Sequence, residues 1–352
     1  MEKLWISPVI DGYAREYKDY LAKYYESETK TLLTKMRAVI KEDEQFDDYR
    51  ACIDLIIDEY ETLILAKEEK FDSWNNRFSS RNFSRTDWID PSYEPEDGEP
   101  KFSGKFYEAV MSALKYKIIR KTKYAEIIKK MGIRTCIYCN AEYLPIAENH
   151  EVDDTIEEEQ TEDDAKIEAC LCRFEADHYK PESQFPFLGI SFFNLLPSCP
   201  FCNKSKTNKP CDFYLYTSDE NEKSPFSFKV DYNNVLAYID KYDSNILEVL
   251  FECNSDTLLA NYNDLFHIDK IYKKSFNDEI EDLIWKSETE NDAYIEQLNC
   301  AFDAVFPKNS SADKFRFING FYIDKKDVFK RPLQKLKQDI FKQLEIDKRR
   351  NI

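Results

Sequence analysis

Glycine is scarce in this chain, with 6 in 352 residues. A phosphate-cradling loop needs glycines in close order so that backbone N–H groups can approach the ligand. No Walker or dinucleotide fingerprint is present, which argues against an ATPase or a dinucleotide enzyme. Long apolar runs are also missing. No uninterrupted apolar run of about 18 residues occurs, so no membrane span is expected. The opening segment, MEKLWISPVIDGYAREYKDY, is charged throughout and lacks the apolar centre of a secretory leader. The expectation is a cytoplasmic protein without membrane contact. Histidine is rare too, with 3 in the chain, so its positions carry information.

Aromatic residues are plentiful: 25 Phe, 23 Tyr and 4 Trp, within a hydrophobic fraction of 42%, enough for a substantial core. Ten cysteines are present. In a long chain read as cytosolic, thiols stay reduced. Two Cys-x-x-Cys pairs, Cys136/Cys139 and Cys199/Cys202, suggest metal ligation instead. Cys52, Cys253 and Cys300 sit in apolar contexts and read as core thiols. Cys170 and Cys172, two apart in an expected strand, read as buried on one face, and Cys211 carries no assigned role.

The net charge of −18 looks wrong for a protein that touches nucleic acid. Its distribution changes that reading. Residues 148–169 hold eleven acidic side chains and one lysine, a net of −10. Residues 115–134 carry a net of +7 and residues 325–350 a net of +6. Basic segments bracket the centre of the chain, and one acidic insertion dominates the total.

Residues 10–75 follow a helical period. A polar stretch with Pro and Gly, 79–104, reads as a linker. Residues 105–131 read as helix stopped at Gly132. From 134 to 212 the pattern breaks into short elements. Residues 226–253 alternate as strands or a hairpin. Residues 262–306 return to helix, and a last helix is expected from Pro332 with Leu333, Leu336, Ile340 and Leu344 as its apolar face. No repeat of 20–50 residues is visible. Three regions follow: a helical region 1–131, a central module 132–212, and an α+β region 213–352 that ends in a basic helix.

Residues 174–206 read FEADHYKPESQFPFLGISFFNLLPSCPFCNKSK. The four cysteines 136, 139, 199 and 202 can surround one tetrahedral zinc and tie together a region too small for its own core. Their separation exceeds the usual zinc-ribbon spacing, and the acidic insertion accounts for much of the excess. Phosphodiester hydrolysis needs a base for water and a cation for developing charge. Adjacent strand residues point opposite ways, so Asp177 can hold metal while His178 faces phosphate. Asn194 can brace the loop carrying His178. Asn203 offers an oxygen to the same hard metal as Asp177. Lys206 and Lys209 can meet phosphate oxygens, and Lys117, Lys121 and Lys123 supply a basic flank.

These residues resemble the HNH endonuclease family, over 134–209, under a quarter of the chain. The resemblance implies a ββα-metal nuclease module beside a structural four-cysteine Zn²⁺ site, inserted in a mainly α, overall α+β protein with a small β hairpin. It implies His178 as general base, Asp177 as a ligand of catalytic Mg²⁺ or Mn²⁺, and Asn194 as the central asparagine. Asn203 stands where the final histidine often sits, a departure from the literal H-N-H letters. The implied activity is metal-dependent hydrolysis of DNA; double-strand cleavage then needs two copies, as in a homo-oligomer, or sequential nicks. The segment 330–344, KRPLQKLKQDIFKQL, is similar to HNH effectors of bacterial anti-phage systems such as Septu and its retron-associated relatives. Those pair with an ABC-type, AAA-like ATPase subunit. The alternative is a catalytically silent nucleic-acid-binding zinc module or a regulatory subunit acting only within a complex. His150 reads as exposed in the acidic run and His267 as a packed or capping residue.

Overall fold

The computed structural model describes residues 1–77, 105–147, 171–289, 292–306 and 310–350. The linker 79–104, the acidic insertion 148–169, His150 and Cys170 lie outside the described residues, as does the side chain of Cys172.

Helices dominate, in the order the periodicity suggests. The first, Pro8–Tyr24, is set by Ser7, whose Oγ accepts from the Ile10 N–H, and by proline at the first turn. It buries Ile10, Ala14, Tyr17 and Leu21 at helical spacing. Glu26–Ala38, Asp47–Asp58, Tyr60–Ile64 and Glu68–Asn76 follow it in the N-terminal region. The helical stretch after residue 105 is interrupted. Lys115 takes a left-handed conformation, φ 56, between Phe106–Ala113 and Tyr116–Ile119. A π turn, Arg120–Tyr124, then widens the helix before Ala125–Lys130. The wider turn lets Thr122, Lys123, Tyr124 and Ala125 all be buried in succession, which a regular helix with one inward face does not allow. Gly132, φ 72, ends the run, in agreement with the sequence.

The central module is a hairpin followed by a helix. Glu175–His178 pairs antiparallel with Leu195–Ser198, Asp177 opposite Leu196 and His178 opposite Leu195. The chain then turns into Pro200–Lys206, with Pro200 in the first turn and the Cys199 sulfur accepting from the Cys202 N–H at 3.5 Å.

The alternating stretch 226–253 contains the two expected strands, Phe226–Val230 and Val249–Cys253, paired antiparallel. They do not form a simple hairpin, because a helix, Tyr232–Lys241, lies between them, capped by the Asp231 side chain. The last helix, Gln334–Arg350, starts later than Pro332 because Leu333 adopts φ 58. It lies along the strand Phe226–Val230 and meets its open edge with side chains. Asp339 accepts from the Phe228 N–H at 3.0 Å, and Gln343 bonds both polar groups of Val230. Buried apolar residues form one cluster running from Met1 to Ile340. Cys52 belongs to it, whereas Cys253 is half-buried and Cys300 is exposed, contrary to the core reading.

Candidate active site and metal centre

The four sulfurs of Cys136, Cys139, Cys199 and Cys202 are buried and lie within 4.8 Å of one another. Tetrahedral zinc with Zn–S near 2.3 Å places sulfurs ~3.8 Å apart, so the cluster fits such an ion. Mutual hydrogen bonding and burial split the four thiols, holding Cys199 and Cys139 below their ordinary range and Cys136 and Cys202 above it, as expected of closely packed groups that share protons. The second knuckle follows the strand Leu195–Ser198 directly, and the first is tied to that strand by the Ile137 N–H, which donates to Pro197 O at 3.3 Å.

Distant parts of the chain cap the first knuckle, one carbonyl at a time. Ile137 O accepts from the Met1 amine at 2.8 Å, and Tyr138 O from the Tyr262 hydroxyl at 2.7 Å. Cys139 O accepts from the Tyr272 hydroxyl at 2.6 Å, and Asn140 O from the Leu333 N–H at 2.6 Å. Asn140 itself, at φ 53, donates to Thr135 Oγ1 and Val328 O and accepts from the Lys335 N–H. A buried knuckle has polar groups that water cannot reach, and these bonds satisfy them.

Asp177 and His178 point opposite ways from their strand, as alternation requires. Asp177 faces the knuckle and the helix Pro200–Lys206. Its Oδ2 accepts from the Tyr138 hydroxyl at 2.5 Å, and the Lys206 ammonium lies 3.1 Å from Oδ2 and 3.3 Å from Oδ1. Burial raises the Asp177 pKa, with Lys206 and Tyr138 opposing the shift. Lys206 also donates to His178 O at 2.7 Å and is fully buried. It is therefore not the surface phosphate contact the sequence suggested.

His178 is turned towards Tyr116, whose ring lies 4.8 Å away, centre to centre. Nε2 is 2.8 Å from Gly189 O and so carries the proton, leaving the lone pair on Nδ1. Burial pulls the imidazole pKa down to about 4, which keeps it neutral at pH 7. Nδ1 stands 3.2 Å from a carboxyl oxygen of Glu182. Both atoms are acceptors when deprotonated, so the contact is a hydrogen bond only while one partner carries a proton. Burial and the neighbouring Glu108 raise the Glu182 pKa accordingly. Arg120, in the π turn, pairs with Glu175 two strand positions before Asp177.

Asn194 braces the turn after His178. Its side chain accepts from the Lys180 N–H at 2.8 Å and donates to Lys180 O and Leu188 O. Asn203 is half-buried on the short helix, one turn before Lys206. Lys209 is exposed and 3.4 Å from Asp264. Lys117 is exposed and Lys121 half-buried on the preceding helix. Lys123 differs from expectation: it is buried and held between Glu16 and Glu126. Tyr138, Tyr116 and Asn140 escaped the sequence reading because each acts through a contact between segments far apart in the chain, and Glu182 and Gly189 because they meet His178 only once the turn after its strand is formed. Only the placement of Tyr138 inside a knuckle hinted at a role.

A catalytic Mg²⁺ fits this arrangement poorly. Such an ion coordinates oxygens at about 2.0–2.1 Å and keeps several waters. Asp177 is 5% exposed with both oxygens already taken, by a phenol and an ammonium. Among the described residues the four cysteines are the one cluster of three or more His, Cys, Asp or Glu able to hold a metal. No protein-family model, curated protein or solved structure matches the chain.

Proposed function

We propose that this chain is an HNH-type endonuclease that hydrolyses phosphodiester bonds of DNA, with His178 as its general base. The observation that carries the reading is a neutral imidazole of fixed tautomer, at the end of a hairpin strand that leads into a cysteine-knuckle helix. Nδ1 takes the proton of a water as its oxygen bonds to phosphorus, and the leaving sugar oxygen departs with a proton from solvent. Glu182, one-third exposed, yields its place at Nδ1 to that water. Arg120, whose charge acts on both His178 and Glu182, meets the phosphate. Zinc on the four cysteines is structural and supplies folding energy to the module.

A second reading has its own support. Asp177 is held by Lys206 rather than left open, which suits a nucleic-acid-binding zinc module that is silent on its own or acts as a regulatory subunit. Docking to an ATPase subunit, suggested by the segment 330–344, belongs to either reading. One experiment separates the two: purified chain, zinc quantified, incubated with supercoiled plasmid and Mg²⁺ or Mn²⁺. The nuclease reading expects nicked product, reduced about 10²–10⁴-fold by His178→Ala with zinc retained. Intact plasmid with the zinc-loaded protein supports the silent module instead.

A further inference from the structure

We infer that the C-terminal region carries an anion site around Tyr322, which takes a terminal phosphate group of a nucleotide or of a nucleic-acid end. Three cations surround this one ring. Lys330 Nζ lies 5.0 Å from its centre, the Arg316 guanidinium 5.1 Å and the Arg331 guanidinium 5.4 Å. Arg316 also donates to the Tyr322 hydroxyl at 3.0 Å. Like charges repel, and the ring offsets that repulsion only in part. The chain fixes the convergence. The helix Ser311–Asn319 starts at a capping box of Ser310 and Asp313 and ends at Gly320, φ 80. Gly320 O accepts from Arg331 at 3.1 Å, and Asn319 O from Lys286, on the helix Asn277–Thr289, at 2.6 Å. Cations suit a helix C-terminus, but each bond uses only one N–H of several. The Tyr322 carbonyl is held by Gln334 and Gln338 of the last helix, Gln338 donating at 2.9 Å.

Neighbouring carboxylates do not cancel the charge. Asp327, buried, pairs with Lys330 at 2.8 Å. Asp313 stands 3.8 Å from Arg316 and commits its other oxygen to Ser310 in the capping box. Asp324 faces Lys326 at 3.8 Å. Among the described residues no carboxylate pairs with Arg331 or Lys286. Lys286, Arg316, Lys330 and Arg331 against Asp313 and Asp327 leave a positive surplus gathered at one point rather than along a track. Arg331 is exposed, and Arg316, Tyr322 and Lys330 are half-exposed, so a ligand can reach them. A carboxylate or a backbone diester brings a single negative charge. A terminal phosphate brings about −1.5 to −2 at pH 7, with three acceptor oxygens that match guanidinium forks. That chemistry answers the surplus, and it does not depend on the nuclease reading.

Inorganic triphosphate, titrated calorimetrically into the zinc-loaded full chain at 0.15 M salt, tests the site. Arg316→Gln combined with Arg331→Gln should weaken binding at least about ten-fold, as loss of a charge-assisted hydrogen bond does. Lys325→Gln combined with Lys326→Gln removes as much charge from exposed neighbours and should change affinity little. No triphosphate binding, or equal weakening by the two double variants, overturns the inference. Single-stranded DNA with a 5′-phosphate, compared with the same strand ending in a 5′-hydroxyl, identifies the source. Preference for the phosphorylated strand, lost with Arg316→Gln and Arg331→Gln, supports a nucleic-acid end. Equal strand affinities with triphosphate still bound support a free nucleotide. Should the Arg316 and Arg331 variant fail to fold, wild-type protein decides through lysine acetylation read by mass spectrometry. Triphosphate should protect Lys330 and leave Lys326 reactive; equal labelling of Lys330 with and without it overturns the inference. No cleavage is measured, so an inactive protein would sink the nuclease reading and leave this result standing.

Discussion

His178 titrates differently folded and unfolded, and that difference has a consequence for stability. Its pKa is depressed from 6.5 to about 4 by burial. Between those values the unfolded chain binds the extra proton and the folded one does not. This contribution is therefore complete above pH 6.5 and shrinks as pH falls towards 4, by about 2 kcal/mol at pH 5. Urea midpoints at pH 7 and pH 5 should show this slope in wild type and lose it in His178→Gln. The carbonyl that sets the tautomer is equally open to test. A Cβ at Gly189 would lie 2.2 Å from the Met111 sulfur and 3.0 Å from Pro186 O. Gly189→Ala should displace that carbonyl and lower cleavage about 10–100-fold with zinc retained, as misplacement of a reacting group does. The Asp-His pair stood out in the sequence because both residues belong to one short motif. What holds them did not. Lys206 reads as a surface lysine until the helix is folded back onto the hairpin, and the Glu182 contact depends on the turn that Asn194 braces.

Elements converge on the knuckle, and Asn140 is their common joint. Its side chain bonds to Thr135, Val328 and Lys335, all in the buried interior. Replacing it by alanine removes these bonds, strands their partners and leaves a Cβ at φ 53. Asn140→Ala should cost about 3 kcal/mol, at roughly 1 kcal/mol per bond plus the burial of unpaired groups. Asn140→Gly should cost less, because glycine accepts positive φ without strain. Thermal denaturation of the two variants checks the order; an alanine variant at least as stable as the glycine one would refute the strain argument. Periodicity revealed most of the helices and both strands of 226–253. It missed the helix between those strands, since Tyr, Asn and Val in that stretch also suit a strand, and only the Asp231 cap marks its start. It missed the π turn as well, since the residues Arg120–Tyr124 continue the same helical pattern and nothing in their order marks the wider turn.

Across the whole molecule, charge decides which nucleic-acid predictions survive. Lys123 is buried and spoken for by Glu16 and Glu126, so Lys123→Glu should destabilise the fold more than reversal of the less buried Lys117 and Lys121. The double reversal should weaken DNA binding for all sequences and flatten the salt slope by about one unit for each phosphate no longer neutralised. An unchanged slope in a fluorescence titration would place the DNA path elsewhere. The basic tail is a weaker candidate than its composition suggests. Lys335 is buried beside Asp339 and Glu2, and Lys337 pairs with Glu279.

The acidic segment 148–169 is the strongest single charge, a net of −10. Its fold lies outside the described residues, but its two ends are fixed: Ile146–Ala147 pairs antiparallel with Leu171–Cys172. A segment whose ends already meet can be replaced by a short Gly/Ser turn without stretching the chain, and a shorter loop costs slightly less entropy to close. Leu171–Cys172 continues within a few residues into the strand that carries His178, which ties the acidic ends to the candidate site. Repulsion of a polyanion acts over about 8 Å at 0.15 M salt and about 30 Å at 0.01 M. The shortened variant should therefore cleave DNA faster than wild type, most clearly at low salt, with zinc and thermal stability unchanged. If the segment instead docks a basic partner, activity alone is unchanged and assembly with that partner weakens. A folded, zinc-loaded variant equal to wild type in both assays would reduce the segment to solvated surface.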